Sequence, residues 1–160
     1  MGYNAPGAST FRSKGGSLAE KITYELNQID TEFDAGLKTA KGNLSAGTTN
    51  AFAFVWQNPE SSKITISRVL IRITTAGGTA TSVIDVGVTS SAPGTSDNLI
   101  DGLDLNTTGI FDNITDKGSN GKSRQVVDEN GGTNSYITGK ILVANAASLV
   151  GTYQIFYTIV

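Results

Sequence analysis

The stretch KITISRVLIRITT, residues 63–75, determines the fold class that this sequence can adopt. Its apolar residues recur at every second position, which is the period of a β-strand with one buried face. The phase of the pattern changes once along the stretch, from Ile64 and Ile66 to Val69, Ile71 and Ile73. A change of phase in a period-two pattern indicates a β-bulge or a bend. The stretch therefore predicts one long, irregular strand.

Further apolar segments, separated by turns, predict additional strands: AFAFVWQ (51–57), SVIDVGVTS (82–90) and SYITGKILV (135–143). The segment GTYQIFYTIV (151–160) is apolar on both faces, so we expect it in the middle of a sandwich or against another subunit. In the long loop region 91–109, the candidates to fill a core are Leu99, Ile100, Leu103 and Leu105. Counting about seven or eight strands in all predicts a mainly β protein, an antiparallel β-sandwich of jelly-roll type.

Composition and charge exclude several classes of function. The 160 residues carry a net charge of −2, so the basic surface that drives nucleic-acid binding is missing. The chain has no cysteine and no histidine, which excludes zinc sites of the usual kind, thiol catalysis and imidazole-based triads. No apolar run reaches the roughly 18 residues that span a bilayer, and the first residues lack the apolar core of a signal peptide. We expect cytoplasmic synthesis, with neither membrane nor nucleic acid as a partner.

Residues 1–16 are rich in glycine and serine, and we predict that they form an extended arm. Such a segment buries too little surface on its own to offset the entropy lost on ordering. The residues able to anchor the arm to another surface are Tyr3, Phe11, Arg12 and Lys14. Composition leaves open whether that surface belongs to a partner or to the chain's own β domain. Residues 38–50 are expected to be a linker, and residues 51–160 the β-sandwich domain.

Residues 17–37 are predicted to form one short amphipathic helix. Ser17 as N-cap and Glu20 three residues later form a capping box, and Gly36 is a stop signal. Apolar residues alternate between spacings of three and four, as in a coiled-coil seam: Ala19, Ile22, Leu26, Ile29 and Phe33. This pattern predicts an oligomer seam. Because it is shorter than the three or four heptads of a convincing coiled coil, a helix packed on its own β domain is the alternative.

Two polar motifs suggest ligand binding, and each has a simpler interpretation. The segment GSNGKS (118–123) ends like a phosphate-binding loop, but Asp116 stands where that motif requires glycine, so we interpret it as a hydrophilic loop. A second cluster offers oxygen ligands of the kind that calcium binds: Asp97, Asp101 and Asp104 with Asn98 and Asn106. Asp and Asn are also the residues of ordinary turns, which is the preferred interpretation. We therefore assign no metal and no cofactor.

Catalysis and sugar binding have weaker signals. Nothing in the spacing of the carboxylates selects a catalytic pair, so we assign no catalytic residue and do not expect an enzyme. Aromatic residues can form a sugar-binding platform, for which the candidates are Trp56, Tyr136 and Tyr153, but core packing is the favoured role of Trp56. Asn106 and Asn113 lie in N-x-Thr triplets, which we interpret as chance matches.

The following segments succeed one another within residues 51–160: NPESSKITISRVLIRITT, IDVGVTSS, NLIDGLDL, GIFDNITDKGSNGKSRQ, YITGKILV and GTYQIFYTIV. In this order they resemble small structural proteins of tailed-bacteriophage virions, of the head decoration or head fibre type. In such proteins an N-terminal arm and a short helix attach a homotrimer to the capsid, and β-sandwich domains project outward.

The resemblance implies a non-enzymatic, homotrimeric capsid decoration, cement or head fibre protein on the exterior of the virion, made in the host cytoplasm. The arm residues Tyr3, Phe11, Arg12 and Lys14 would dock on the major capsid protein or on another virion protein. A second hypothesis is a carbohydrate- or receptor-binding module of a phage tail or neck fibre, which binds a host-surface glycan through loops between residues 97 and 120. An enzyme acting on cell-surface polysaccharide is the third hypothesis.

Overall fold

The computed structural model describes residues 36–90 and 94–160. The predicted arm, and the predicted helix as far as residue 35, lie outside these residues. Gly36 lies in a turn and Leu37 is irregular, so the last two residues of the predicted helical segment are not helical. Leu37–Val160 forms one compact unit. Within the described ranges there is no α-helix, and hence no helix of the length and apolar character that crosses a membrane.

Nine strands run through the described residues: β1 (Lys38–Leu44), β2 (Phe52–Gln57), β3 (Ile64–Thr75), β4 (Val83–Thr89), β5 (Ile100–Asp104), β6 (Gly109–Asp112), β7 (Gln125–Val127), β8 (Tyr136–Ile141) and β9 (Val150–Ile159). They form two antiparallel sheets. Sheet 1 has the order β1-β9-β3-β6, with β7 also paired to β3, and sheet 2 has the order β2-β8-β4-β5. The prediction of a mainly β protein is confirmed.

The longest strand, β3, organises sheet 1 because it pairs with β9, β6 and β7. Its register against β9 shifts between Ile66 and Arg68, where the sequence pattern changes phase. The Ser67 hydroxyl donates a hydrogen bond of 3.1 Å to the carbonyl of Phe156 at this point. The predicted β-bulge is therefore confirmed, and it keeps the apolar side chains on both sides of the shift directed at the core.

One hydrophobic core lies between the two sheets. Phe54 of β2 stacks on Tyr153 of β9, with ring centroids 4.3 Å apart. Trp56 contacts Tyr157 in a tilted arrangement, with ring centroids 5.5 Å apart and an angle of 50° between the ring planes. The predicted long loop region 91–109 contains the strand β5. The four residues predicted there to fill the core are all buried: Leu99, Ile100, Leu103 and Leu105. The core thus joins side chains of both sheets, as in a β-sandwich.

Strand β1 corrects the predicted linker. Residues 38–50 were expected to be a linker, but Lys38–Leu44 pairs along its whole length with β9. The segment lacks an alternating pattern of large apolar residues because two of its inward positions, Ala40 and Gly42, are small. A Cβ on Gly42 would lie 2.7 Å from the Tyr153 ring. The pairing partner, and not local propensity, makes this segment a strand.

The start of β1 is also fixed by side chains. Both carboxylate oxygens of Glu60 lie 2.9 Å from the Lys38 ammonium, and Glu60 accepts a further hydrogen bond of 3.0 Å from the Tyr157 hydroxyl. β9 lies between β1 and β3 in sheet 1, and its inward side chains reach the core. Its outward side chains, such as Phe156, are not covered by a second layer of the described residues, so the alternative of contact with another subunit stays a prediction.

The two faces of sheet 1 can be distinguished by a pair of isoleucine variants. Ile71→Ala is expected to lower the free energy of unfolding by about 2–5 kcal/mol, because Ile71 is fully buried and its removal leaves a cavity. Ile110→Ala on the neighbouring strand β6 is expected to change it by no more than about 0.5 kcal/mol, because surface substitutions cost little. Denaturant unfolding measures both, and equal losses would contradict the assignment of the faces.

Candidate functional site

The outer face of sheet 1, directed away from the core, carries an unusual number of apolar side chains: Leu37, Leu70, Ile110, Ile114, Val126 and Phe156. Four of them are strongly exposed, namely Ile110 (67%), Val126 (54%), Leu37 (51%) and Ile114 (45%). The outer face of an antiparallel sheet is usually polar. Single exposed apolar residues are common, but a cluster of them on one sheet face indicates an interaction surface.

The register of the strands explains why these side chains share a face. Directly opposite residues of an antiparallel pair point to the same side. Ile110 lies opposite Arg72, and Phe156 lies opposite Arg68. Val126 of β7 lies opposite Thr65 at the far end of β3. The pairing of β3 with three other strands therefore gathers the exposed apolar residues.

Positive charge is mixed with the apolar residues on this face. The strands of sheet 1 direct three cations outward, Lys41, Arg68 and Arg72, and one carboxylate, Asp112, which gives +3 − 1 = +2. Asp112 is already paired with Arg68. The chain as a whole has a net charge of −2, so the face differs in sign from the average of the molecule.

Two depressions open on the outer face of sheet 1. The larger, of about 470 Å³, is lined by Leu37, Ser67, Arg68, Asp112, Ile114, Thr115 and Phe156. The smaller, of about 350 Å³, is lined by Lys41, Gly42, Asn43, Thr152, Tyr153 and Gln154. Both depressions thus combine apolar or aromatic surface with a cationic side chain, which is the composition of a protein-binding surface rather than of a polar solvent-exposed sheet.

Arg68 and Asp112 form the charged wall of the larger depression. Asp112 Oδ2 accepts hydrogen bonds from Nε of Arg68, at 3.0 Å, and from its Nη2. Asp112 Oδ1 accepts from the backbone N–H groups of Ile114, at 2.8 Å, and Thr115, at 2.7 Å. Burial alone would raise the pKa of Asp112, but the bonds from Thr115, Arg68 and Ile114 outweigh it and bring the pKa to about 2. Asp112 is therefore held as a charged, fixed partner of Arg68.

A second group of charged residues, the carboxylate triad, consists of Asp85 on β4, Asp97 in the following loop and Asp101 on β5. Each offers an oxygen, and these oxygens lie within 4.8 Å of one another. Asp85 accepts a hydrogen bond of 2.8 Å from the N–H of Gly102. Asn120 joins the other two: its backbone N–H donates to Asp101, at 3.1 Å, and its side-chain amide to Asp97, at 2.9 Å.

Burial raises the pKa of Asp85, which is 8% exposed, and the charges of Asp101 and Asp97 raise it further; the bond from Gly102 opposes them. Lys140 lies directly opposite Asp85 in the sheet, but its ammonium bonds the Thr95 hydroxyl instead, at 3.2 Å. The negative charge of Asp85 is therefore poorly compensated within the described chain.

The triad differs from the cluster that the sequence predicted. Asp97 and Asp101 do meet, but Asp104 turns away and accepts bonds from the Asn106 N–H, at 2.7 Å, and the Thr107 hydroxyl, at 2.7 Å. Ordinary turn chemistry is thus confirmed for Asp104. The predicted cluster did not include Asp85, although Asp85 stands out as a charged residue inside the apolar segment 82–90. Three carboxylates are a donor set that calcium accepts, but neither depression is lined by the triad.

The other predicted candidates have structural roles. Trp56 and Tyr153 pack on Tyr157 and Phe54, and Tyr136 is half-buried. Asn113 is fully buried and accepts a bond of 2.7 Å from the Val69 N–H, so its N-x-Thr triplet is inaccessible to modifying enzymes.

The segment 118–123 consists of turns and irregular backbone with no helix after it, which confirms the hydrophilic-loop interpretation. The predicted seam and arm residues lie outside the part of the chain that the structure describes, and they stay predictions: Ala19, Ile22, Leu26, Ile29 and Phe33 for the seam, with Tyr3, Phe11, Arg12 and Lys14 for the arm. The sequence did not predict the pair of Arg68 with Asp112, although Arg68 stands out as a charged residue at the phase change of residues 63–75.

Replacing Asp112 tests the ion pair with Arg68, because the contribution of this pair to stability depends on pH. Its pKa falls from 3.8 to about 2 on folding, so the carboxylate stabilises the fold above its unfolded pKa and loses this effect as the pH falls toward the folded value. Asp112→Asn is expected to lower the free energy of unfolding by about 2 kcal/mol at pH 7, since one pKa unit corresponds to about 1.4 kcal/mol. Near pH 2 the substitution is expected to change it very little. Urea unfolding across pH measures this. Asp104→Asn on the exposed turn is the control, and a cost independent of pH would contradict the interpretation.

Replacing Asp85 is expected to have the opposite sign. A raised folded pKa means that the charged form is penalised above that pKa and that the penalty is absent below the unfolded value. Asp85→Asn keeps an acceptor for the Gly102 N–H and removes the charge, so the variant is expected to melt higher than the parent at neutral pH and to lose the gain at acid pH. Asp128→Asn, which removes the partner of Lys63, is the contrasting control and is expected to lower the melting temperature.

No protein-family model matches the sequence, and no curated protein matches it. Among solved structures, a chain in the acidic stable capsid structure of Helicobacter pylori bacteriophage KHP30 is similar. The two chains are 18% identical, with a TM-score of 0.35 over 77% of this chain and 86% of that chain. This overlap is too low to assign a fold or a role to the present chain.

Proposed function

We propose that this chain is a non-enzymatic structural protein of a bacteriophage virion, which decorates or cements the capsid exterior or forms a head fibre. It assembles as a homotrimer through the seam of residues 17–37 and attaches to the major capsid protein, or to another virion protein, through its N-terminal arm. The trimer, the arm and the capsid location come from the resemblance of the sequence. A second attachment surface comes from the outer face of sheet 1.

The order of the strands supports a jelly-roll form of the sandwich. With β7 set aside, the sheets run β1-β9-β3-β6 and β2-β8-β4-β5, so that β1 lies beside β9 and β2 beside β8. This nested order is that of two Greek keys wound together, which recurs in viral capsid and lectin domains. One fold serves many functions, so the strand order supports the virion role by analogy alone.

The outer face of sheet 1 is the observation that carries the proposal. Side chains such as Ile110 and Val126 contribute nothing to the core, yet they remain exposed beside Arg68 and Arg72. Apolar residues together with arginine are enriched at the centres of protein–protein interfaces. A surface of this kind is typical of a structural protein that is covered on assembly, and less so of an enzyme.

The carbohydrate-binding alternative has less support from the same residues. Of its three aromatic candidates, Trp56 and Tyr153 are engaged with Tyr157 and Phe54 between the sheets, so their ring faces are not free to stack on a sugar. Tyr136 alone would make a small platform.

Solution mass tests the trimer. Multi-angle light scattering of the full chain is expected to give three times 16.7 kDa, whereas residues 37–160, which contain the whole compact unit, are expected to be monomeric. In the full chain, Leu26→Asp is expected to dissociate the trimer because it places a charge in the apolar seam, and Asn27→Asp, outside the seam, is the matched control. A monomeric full chain at high concentration would contradict the trimer.

Binding to virus particles tests the structural role. Particles of the parent phage from which the gene has been deleted are mixed with purified full-length chain and sedimented. The full chain is expected to sediment with the particles, and residues 37–160 to bind more weakly, because three linked arms act together through effective concentration. A full-length chain that stays in the supernatant would overturn the virion role.

A further inference from the structure

We propose that the larger depression on the outer face of sheet 1 receives a large apolar side chain next to a carboxylate, both supplied by the virion protein to which the chain attaches. This inference rests on the proposed function and names the chemistry of the partner at one place on the surface. The depression combines an apolar lining with a fixed guanidinium, and each part selects one feature of the partner.

The apolar lining selects the apolar side chain. Leu37 and Ile114 are about half exposed, and Phe156 between them is partly exposed on the outer side of β9. A space of about 470 Å³ accommodates an aromatic or a branched aliphatic side chain. Filling it removes from water the apolar surface that the folded chain leaves uncovered, which is the main favourable term in protein association.

Arg68 selects the carboxylate. Its side chain is 50% exposed, and its Nε and Nη2 donate to Asp112. The Nη1 group has no partner among residues 36–90 and 94–160. Since Asp112 is itself fixed by Ile114 and Thr115, the guanidinium is held in one orientation before any partner arrives. A preorganised guanidinium forms strong charge-assisted hydrogen bonds with carboxylates and loses little entropy on binding.

The surrounding charge favours an acidic protein surface over other partners. Lys41 and Arg72 lie on the same face and make no ion pair within the described chain. Two carboxylates lie beside the depression: Asp112 is paired with Arg68, and Asp116 accepts hydrogen bonds from the Asp112 N–H, at 2.9 Å, and the Thr115 hydroxyl, at 2.8 Å. Cationic groups without local counter-charges are complementary to acidic residues of a partner. The apolar lining of the larger depression favours a protein over nucleic acid, whose binding rests mainly on contacts between basic residues and phosphates.

The test compares two full-length variants in sedimentation with the gene-deleted particles, over a concentration series that yields a dissociation constant. Arg68→Lys keeps the charge toward Asp112 and removes the planar fork. Ile114→Ser removes apolar lining at an exposed position, and Val143→Ser, at a 52% exposed position in another loop, is its matched control. Each test variant is expected to raise the dissociation constant about tenfold or more, and the control less than twofold. Thermal unfolding of every variant verifies that the fold is retained.

The outcomes separate this inference from the proposed function. Wild-type binding with equal binding by both variants would overturn the inference and leave the virion role standing. Failure of the wild type to bind would overturn both. If Ile114→Ser instead lowers the oligomeric mass in light scattering, the depression is occupied by a second copy of the chain and the assignment to another virion protein is wrong. Weakening by both test variants with unchanged mass supports the proposal.

Discussion

The pairing of β3 with β9 is the interaction on which the rest of the structure depends. It joins Ile64 to Ile159 at one end and Thr75 to Val150 at the other, so it closes a long segment of chain. Closing such a segment costs entropy that only many simultaneous contacts can offset. Ten residue pairs supply them here, and β9 then carries β1 on its other edge. Without this pair, sheet 1 would lose its centre.

The same pair determines what each side of sheet 1 can do. On the inner side, β9 presents Tyr153 and Tyr157 to the aromatic residues of β2, which locks the sheets together. On the outer side, the bulge at Ser67 brings Arg68 opposite Phe156. A strand without this bulge would keep one phase throughout, and either the isoleucines before it or those after it would face solvent. The irregularity that completes the core therefore also positions the guanidinium.

Much of the β architecture could be predicted, because buried strand positions appear in the sequence as a periodic pattern of apolar residues. The phase change in residues 63–75 marked the bulge of β3, and the apolar residues of 151–160 marked the strand β9. Strand β1 left no such trace, because KTAKGNL owes its conformation to β9 and to the small size of Gly42. Arg68 and Asp112 are 44 residues apart, and Asp85 and Asp101 lie on the paired strands β4 and β5, so both contacts depend on a strand register that periodicity does not encode.

The Arg68–Asp112 pair connects stability with the proposed attachment, because its two side chains differ in exposure. The Asp112 side chain is 6% exposed and is satisfied on both oxygens, whereas the Arg68 side chain is 50% exposed. A nearly buried carboxylate contributes to stability only while its partner stays in place, because an unpaired buried charge is costly. The ion pair that stabilises the fold therefore also holds the Arg68 side chain, which is half exposed, in one orientation. A partner that binds this side chain loses little further entropy in ordering it. A partner that binds there meets a group that folding has already ordered.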